Sequence, residues 1–263
     1  MAYKTILLER KKGYAVVTLN RQQEMNALCR EMRMEIDSVF EELEDDNSVR
    51  VVIITGGDYI FCAGMDLKEM SALPDNEIVA YFNSINKFLK RIYTFPKPVL
   101  AAVGGIALGG GFNIATVCDM IIASESAIFG HPELKFGLNP LFSPVSNLVG
   151  IAKAKEITMM GEPIGAKEAL RIGLVNKVSP PEEFMAETIA IAERLAERSA
   201  MAIAAVKKMS ELTPMLDKSA ALDLEFGVST HLFSTVERKM RMSDFMTREF
   251  MDKMKKRQGI IKK

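Results

Sequence analysis

The 263-residue chain carries 34 Lys plus Arg and 34 Asp plus Glu, with 48% hydrophobic and 26% charged residues. That composition buries a core and excludes a disordered chain, and the zero formal charge argues against a nucleic-acid partner. Three widely spaced cysteines (Cys29, Cys62, Cys118) make neither a disulfide framework nor a zinc site, and His131 and His231 lie too far apart in sequence for a paired metal motif.

Residues 5–8 and 14–19 are apolar and β-branched around Lys11-Lys12-Gly13, which predicts a strand pair joined by a turn. The first residues lack a basic region before an apolar run, so the expectation is a cytoplasmic protein without a secretory leader. From Asn26 the apolar spacing becomes three to four (Leu28, Met32, Ile36, Phe40, Leu43), an amphipathic helix. Residues 51–54 read as a buried strand, 77–93 as a helix stopped by Pro96 and Pro98, 99–103 as a strand, 111–118 as a short helix and 120–123 as a strand. The stretch 99–117 has 19 uncharged residues, enough to span a bilayer. Five of them are glycines and two are polar (Asn113, Thr116), so a buried strand, turn and helix are expected and no membrane partner. Strands alternating with helices predict a parallel α/β core. Beyond Pro144 the pattern is helical over 145–160, 166–172, 181–209, 218–233 and 237–256, with a short strand at 175–178. The expected division is an α/β part, 1–180, and a helical part, 181–263. Met240, Met242, Met246, Met251 and Met254 give the last helix a methionine stripe, read as a self-association surface.

Two glycine-rich segments carry the chemistry. One runs from Gly56 through Phe61-Cys62-Ala63-Gly64-Met65-Asp66-Leu67-Lys68-Glu69-Met70; the other runs from Pro96 through Gly104-Gly105-Ile106-Ala107-Leu108-Gly109-Gly110-Gly111-Phe112-Asn113. Each follows a buried strand and ends at a helix start, where backbone N–H groups are unpaired and carry partial positive charge. Two such turns side by side can aim two N–H donors at one oxygen, an oxyanion hole. No phosphate-cradle pattern is present.

Together with Asn26-Ala27-Leu28, Phe129-Gly130-His131-Pro132-Glu133 and the stretch 170–178, these segments resemble the crotonase (enoyl-CoA hydratase/isomerase) superfamily over nearly the whole chain. The resemblance implies a spiral of repeated ββα units with a C-terminal helical trimerisation region, assembled as a homotrimer or a dimer of trimers. It implies an acyl-CoA thioester substrate and no separate cofactor. The thioester oxygen would be bound by the backbone N–H groups of Met65 and Gly110. Ala63, Met65, Asp66, Leu67, Lys68 and Gly110 match positions along the CoA moiety, and Phe245 and Arg248 match positions at which some relatives touch CoA from a neighbouring subunit.

The carboxylates depart from the hydratase pattern. Family hydratases place one Glu shortly after the triple glycine and another about twenty residues later; here these positions hold Asn113 and Glu133. An amide orients water but cannot accept its proton. A single Glu133 suits moving a proton between two carbons, so the leading expectation is Δ3,Δ2-enoyl-CoA isomerisation, with 2-enoyl-CoA hydration as the alternative and a non-catalytic acyl-CoA- or RNA-binding relative as a third. Leu141 stands where dienoyl isomerases and the chlorobenzoyl-CoA dehalogenase carry an acid. With His131, Leu138 and Phe142 it is expected to line a reshaped acyl pocket. His131, two residues from Glu133, would face the same side in a strand and could tune the acid, but it is read more simply as a histidine satisfying loop backbone. Finally, the zero net charge hides an asymmetry: residues 236–263 hold 10 Lys plus Arg against 4 Asp plus Glu, charge that could face CoA phosphates.

Overall fold

The computed structural model describes residues 3–247 and 254–255. The chain divides into two compact units, Met1–Glu197 and Arg198–Lys263.

In the first unit, β1 (Ile6–Lys11) and β2 (Gly13–Leu19) form the expected hairpin. Helix α1 (Arg30–Asp45) follows, then β3 (Val49–Thr55), β4 (Ile60–Cys62), α2 (Leu67–Ser71) and α3 (Ile78–Tyr93). Next come β5 (Val99–Val103), β6 (Ile106–Leu108) and α4 (Gly110–Val117), then β7 (Met120–Ser124) and β8 (Ile128–Gly130). The unit closes with α5 (Ser143–Val149), α6 (Ile151–Met160), β9 (Ile164–Gly165), α7 (Ala166–Arg171), β10 (Lys177–Ser179) and α8 (Phe184–Ala196). The first sheet has the order β1-β2-β3-β5-β7-β10, the second β4-β6-β8-β9.

Each turn of chain therefore lays one strand in each sheet: β3 and β4, β5 and β6, β7 and β8. Successive turns pair in parallel in both sheets, which is the ββα spiral. The crossings are so close that only glycine fits. A Cβ at Gly105 would lie 1.7 Å from Tyr59 O, and one at Gly104 2.3 Å from Gly57 O.

Strand alternation sorts the core. Val52, Ile54, Ala101 and Val103 face the larger cluster with Met32, Ile36, Phe40 and Phe88. Val51, Ile53, Leu100 and Ala102 face the other side, where Phe184 and Ala192 of α8 cover them. This packing places α8 on the sheet, so the compact unit runs to Glu197 rather than ending at 180.

The structure corrects several element boundaries. The second-sheet strands were not anticipated; β4, β6 and β8 span three residues each, too short for an alternation pattern. The helix expected over 145–160 is broken at Gly150, which takes φ +78°. The helix expected over 181–209 is two helices. The second, α9 (Ala200–Leu212), starts afresh where Ser199 Oγ accepts from Ala202 N–H. It is followed by α10 (Lys218–Ser234), capped by Asp217, and α11 (Val236–Met246), capped by Thr235. The last helix, expected to run to 256, ends its described span at Met246, with Thr247 extended at ψ 144°. No helix of the described residues is long and apolar enough to cross a membrane; the stretch 99–117 is β5, β6 and α4.

Candidate active site

Three neighbouring parallel strands of the second sheet, β4, β6 and β8, end at one edge, so the turns that follow them lie side by side. After β4 the chain passes Ala63-Gly64-Met65. Gly64 takes φ +120°, a conformation L side chains rarely adopt; its carbonyl accepts from Leu28 N–H at 2.9 Å. After β6 come Gly109, at φ +51°, and Gly110, which opens α4. A helix's first N–H groups have no intrahelical acceptor. The two turns touch: a Cβ at Gly110 would lie 3.4 Å from Met65 N, and one at Gly64 3.6 Å from Gly110 N. The glycines leave open the space before both N–H groups.

The third turn brings Glu133. Gly109 N–H donates to Gly130 O at 2.9 Å, tying the second turn to the third. Glu133 begins a short 3-10 turn, Glu133–Phe136, and Leu138 N–H donates to its carbonyl at 3.0 Å. Its carboxylate reaches back over the glycines: a Cβ at Gly109 would lie 3.4 Å from Oε1 and 3.7 Å from Cδ. Met65, Gly110 and Glu133, far apart in sequence, are thus brought to one place.

Two buried polar side chains stand close by. His131 is fully buried. Its ring packs on Phe112 with centroids 4.7 Å apart, and its Nδ1 lies 3.3 and 3.2 Å from Glu133 Oε1 and Oε2. Of the two sequence readings of His131, this contact favours the one in which it stands against the acid over the one in which it serves loop backbone. It also removes His131 from the open wall of a pocket, because the ring lies behind the carboxylate. Asn113, one turn into α4, is buried, and its Oδ1 has no hydrogen-bond partner. A buried orphan acceptor is costly unless something donates to it.

The Met65 loop is held by Asn26 and Asp66, to which sequence reasoning gave no such role, and by Arg21 and Arg33, which it passed over. Asn26, buried at φ +54°, donates through Nδ2 to Gly56 O, Ile60 O and Phe61 O and so pins β4. Arg21 Nη1 donates to Ala27 O at 2.6 Å and pairs with Asp66 at 3.1 Å. Arg33, almost fully buried, donates to Leu28 O at 2.8 Å and pairs with Glu69 at 2.7 Å, its guanidinium 4.6 Å over the Tyr81 ring. Asp66 caps α2 by accepting from Lys68 and Glu69 N–H. Burial works to raise its carboxyl, yet the Glu69 N–H and the Arg21 guanidinium outweigh it and hold Asp66 below the usual carboxylate range. The legible signal at Arg33 was a charge between Met32 and Ile36 on the buried face of α1.

The remaining candidates divide. Ala63, Met65 and Asp66 are half-buried and Leu67 and Lys68 exposed, a strip open along one side of the loop. Phe142 packs half-buried against the core, whereas Leu141 is exposed and Leu138 intermediate. No described contact joins these three side chains to the Glu133 carboxylate. Phe245 lies in the second unit, half-exposed. Arg248 lies outside the described residues.

A spiral of ββα turns with parallel pairing in both sheets is the crotonase fold. The family model for enoyl-CoA hydratase/isomerase matches residues 9–254, and the chain belongs to that family. It is 38% identical over 261 residues to the short-chain-enoyl-CoA hydratase of Clostridium acetobutylicum, covering 98% of this chain and 100% of that one. It is 37% identical over 250 residues to the crotonyl-CoA hydratase of Syntrophomonas wolfei, covering 94% and 96%. The crystal structure of the enoyl-CoA hydratase of Bacillus anthracis superposes with a TM-score of 0.88 at 30% identity, covering 92% of this chain and 96% of that one.

Proposed function

We propose that the chain hydrates 2-enoyl-CoA thioesters, with Glu133 as its one acid–base carboxylate. The observation that carries this reading is the Glu133 carboxylate lying beside the Gly109–Gly110 turn, where Met65 N and Gly110 N converge. The thioester oxygen accepts from the N–H groups of Met65 and Gly110, which stabilise the enolate; one such donor is worth roughly 10²–10³ in rate. Water adds across the double bond, its oxygen bonding to C3. Glu133 takes a proton from that water and delivers it to C2, so the carboxylate ends as it began. The orphan Oδ1 of Asn113 accepts the water's other O–H and orients it, a role an amide can fill without taking a proton. The names of the relatives support hydration over the isomerisation expected from sequence.

Isomerisation is the second reading, favoured by Asn113 standing in place of a carboxylate. Glu133 would then take a proton from C2 of a 3-enoyl thioester and return it to C4. The CoA moiety would lie along Ala63, Asp66, Leu67 and Lys68, with Phe245 and Arg248 contributed by a neighbouring subunit of a trimer or dimer of trimers. Among described residues, the three helices of the second unit bury no residue, which supports such assembly.

The test incubates purified protein with 2-enoyl-CoA and 3-enoyl-CoA in parallel and follows both 3-hydroxyacyl-CoA and the shifted alkene. Hydration is expected to dominate. Turnover of the 3-enoyl ester alone, without hydroxy product, overturns it in favour of isomerisation.

A further inference from the structure

With Asn113 in place of a second acid, Glu133 must accept a proton before it can give one, whichever reaction it serves. The ionised carboxylate is therefore the working form. The Glu133 side chain is only 17% exposed, and a carboxylate so far withdrawn from water is stabilised by a donor. Among the described residues the only hydrogen-bond or ion-pair partner of the Glu133 side chain is His131.

The surroundings decide which proton His131 carries. A carboxylate only accepts, so Nδ1 is the donor. Nε2 is buried and has no partner. A doubly protonated ring would leave a charged N–H orphaned there, whereas the neutral Nδ1–H tautomer leaves only a lone pair unpaired. The ring is packed on Phe112 and fully buried, and the His131 backbone is held close by Gly161, where an added Cβ would lie 3.0 Å from His131 O. The elements packed against the pair present carbon and backbone: Gly109 and Phe112 at the start of α4 and Gly161 after α6. Lys135 on the same turn, Glu125 before β8 and Glu162 next to Gly161 are all exposed.

We propose that His131 is a positioning residue for Glu133: its Nδ1–H binds both carboxylate oxygens, keeps the group in its proton-accepting form and fixes it against the Gly109–Gly110 turn. The chain thereby compensates for a missing second carboxylate with a buried neutral donor. The proposal rests on the acid–base role given to Glu133 above and holds for hydration and isomerisation alike.

The test compares His131→Phe, which keeps an aromatic ring on Phe112 without a donor, with His131→Gln, which keeps an N–H. Selectively 13C-labelled glutamate lets the Glu133 carboxyl be titrated by NMR, its signal assigned by its loss in Glu133→Gln. In His131→Phe the titration midpoint is expected to rise by about one pH unit or more, with His131→Gln near the parent. The acidic limb of the kcat/KM profile is expected to move with it. The rate loss is then expected at acidic pH, where the carboxyl of His131→Phe is protonated while the parent's is still ionised, and to vanish as pH rises. An unchanged NMR midpoint in His131→Phe overturns the proposal, as does a rate loss uniform across pH, which marks packing alone. Because the NMR titration needs no turnover, it stands apart from the substrate assay; full activity of Glu133→Gln would instead overturn the acid–base reading.

Discussion

The two units of the chain are stabilised in opposite ways. The first seals its strands between clusters on both sheet faces, with Phe40, Phe61, Phe88, Phe112, Phe129 and Phe184 all below 2% exposed. Its turns cross so tightly that Gly56, Gly104, Gly105 and Gly111 would each drive a Cβ into backbone. In the second unit α9, α10 and α11 bury no residue. Phe226, Phe233, Val236, Met240 and Met246 are each more than half exposed there, and Gly227 would meet nothing within 4 Å. The first unit has a sealed core that can hold a catalytic geometry, although Tyr59, Val79 and Met159 stay exposed on its surface. The second presents apolar surface outward, the property expected of a segment completed by another copy.

Substitutions can break this contrast, beginning with the largest effect. Glu133→Gln is expected to lower turnover about 10²–10⁴-fold while the melting temperature holds, since it removes a proton acceptor and keeps the shape; steady-state kinetics beside calorimetry reads both. Gly110→Ala comes next. Its methyl would meet the ends of two flexible side chains, Leu28 Cδ1 at 2.9 Å and Met65 Sδ at 3.0 Å, and stand 3.4 Å from Met65 N. The fold can accommodate that contact, but the space before the donors is filled, so kcat is expected to fall roughly 10²–10³-fold.

Glycine substitutions in the two units should differ in sign. At Gly111 a Cβ would lie 2.1 Å from Cys62 O, a backbone atom that cannot yield. Gly111→Ala is expected to cost about 3 kcal/mol or more in urea unfolding. Gly227→Ala, inside α10 and in open space, is expected to be neutral or to stabilise by up to about 1 kcal/mol. On the proposed assembly, a charge such as Met242→Glu on the exposed stripe should instead move sedimentation toward monomers, with the first unit still folded.

The smallest effect concerns pH. Asp66 is held below its ordinary range in the folded chain, so its stabilising contribution is present at pH values above the unfolded carboxylate range. It is lost as pH falls through the folded value. Asp66→Asn keeps a capping acceptor and loses the Arg21 pair; a deficit of about 1 kcal/mol or less at neutral pH is expected to vanish in acid.

How much of this was legible varies by element. The long strands 51–54 and 99–103, the helix from Asn26 and the glycine turns were visible because apolar period and glycine density are local properties. The second sheet was not visible: its strands are three residues long, and they exist because each turn of the spiral lies on the last. Gly150 and Ser199, which divide predicted helices, were overridden in reading by apolar residues on both sides. At the site, Met65, Gly110 and Glu133 were named from the resemblance, yet only the parallel pairing of β4, β6 and β8 brings them together.

Sequence by itself therefore determined the parts: an α/β spiral with glycine turns, one carboxylate, an amide at 113 and a basic C-terminal stretch. Tertiary structure alone decided the relations among them. It put α8 on the sheet, clamped the Met65 loop with Arg21 and Arg33, left Asn113 Oδ1 without a partner and set His131 against Glu133. The physical reason is that propensity and spacing act over a few residues along the chain, whereas burial and hydrogen-bond satisfaction depend on what packs across from them.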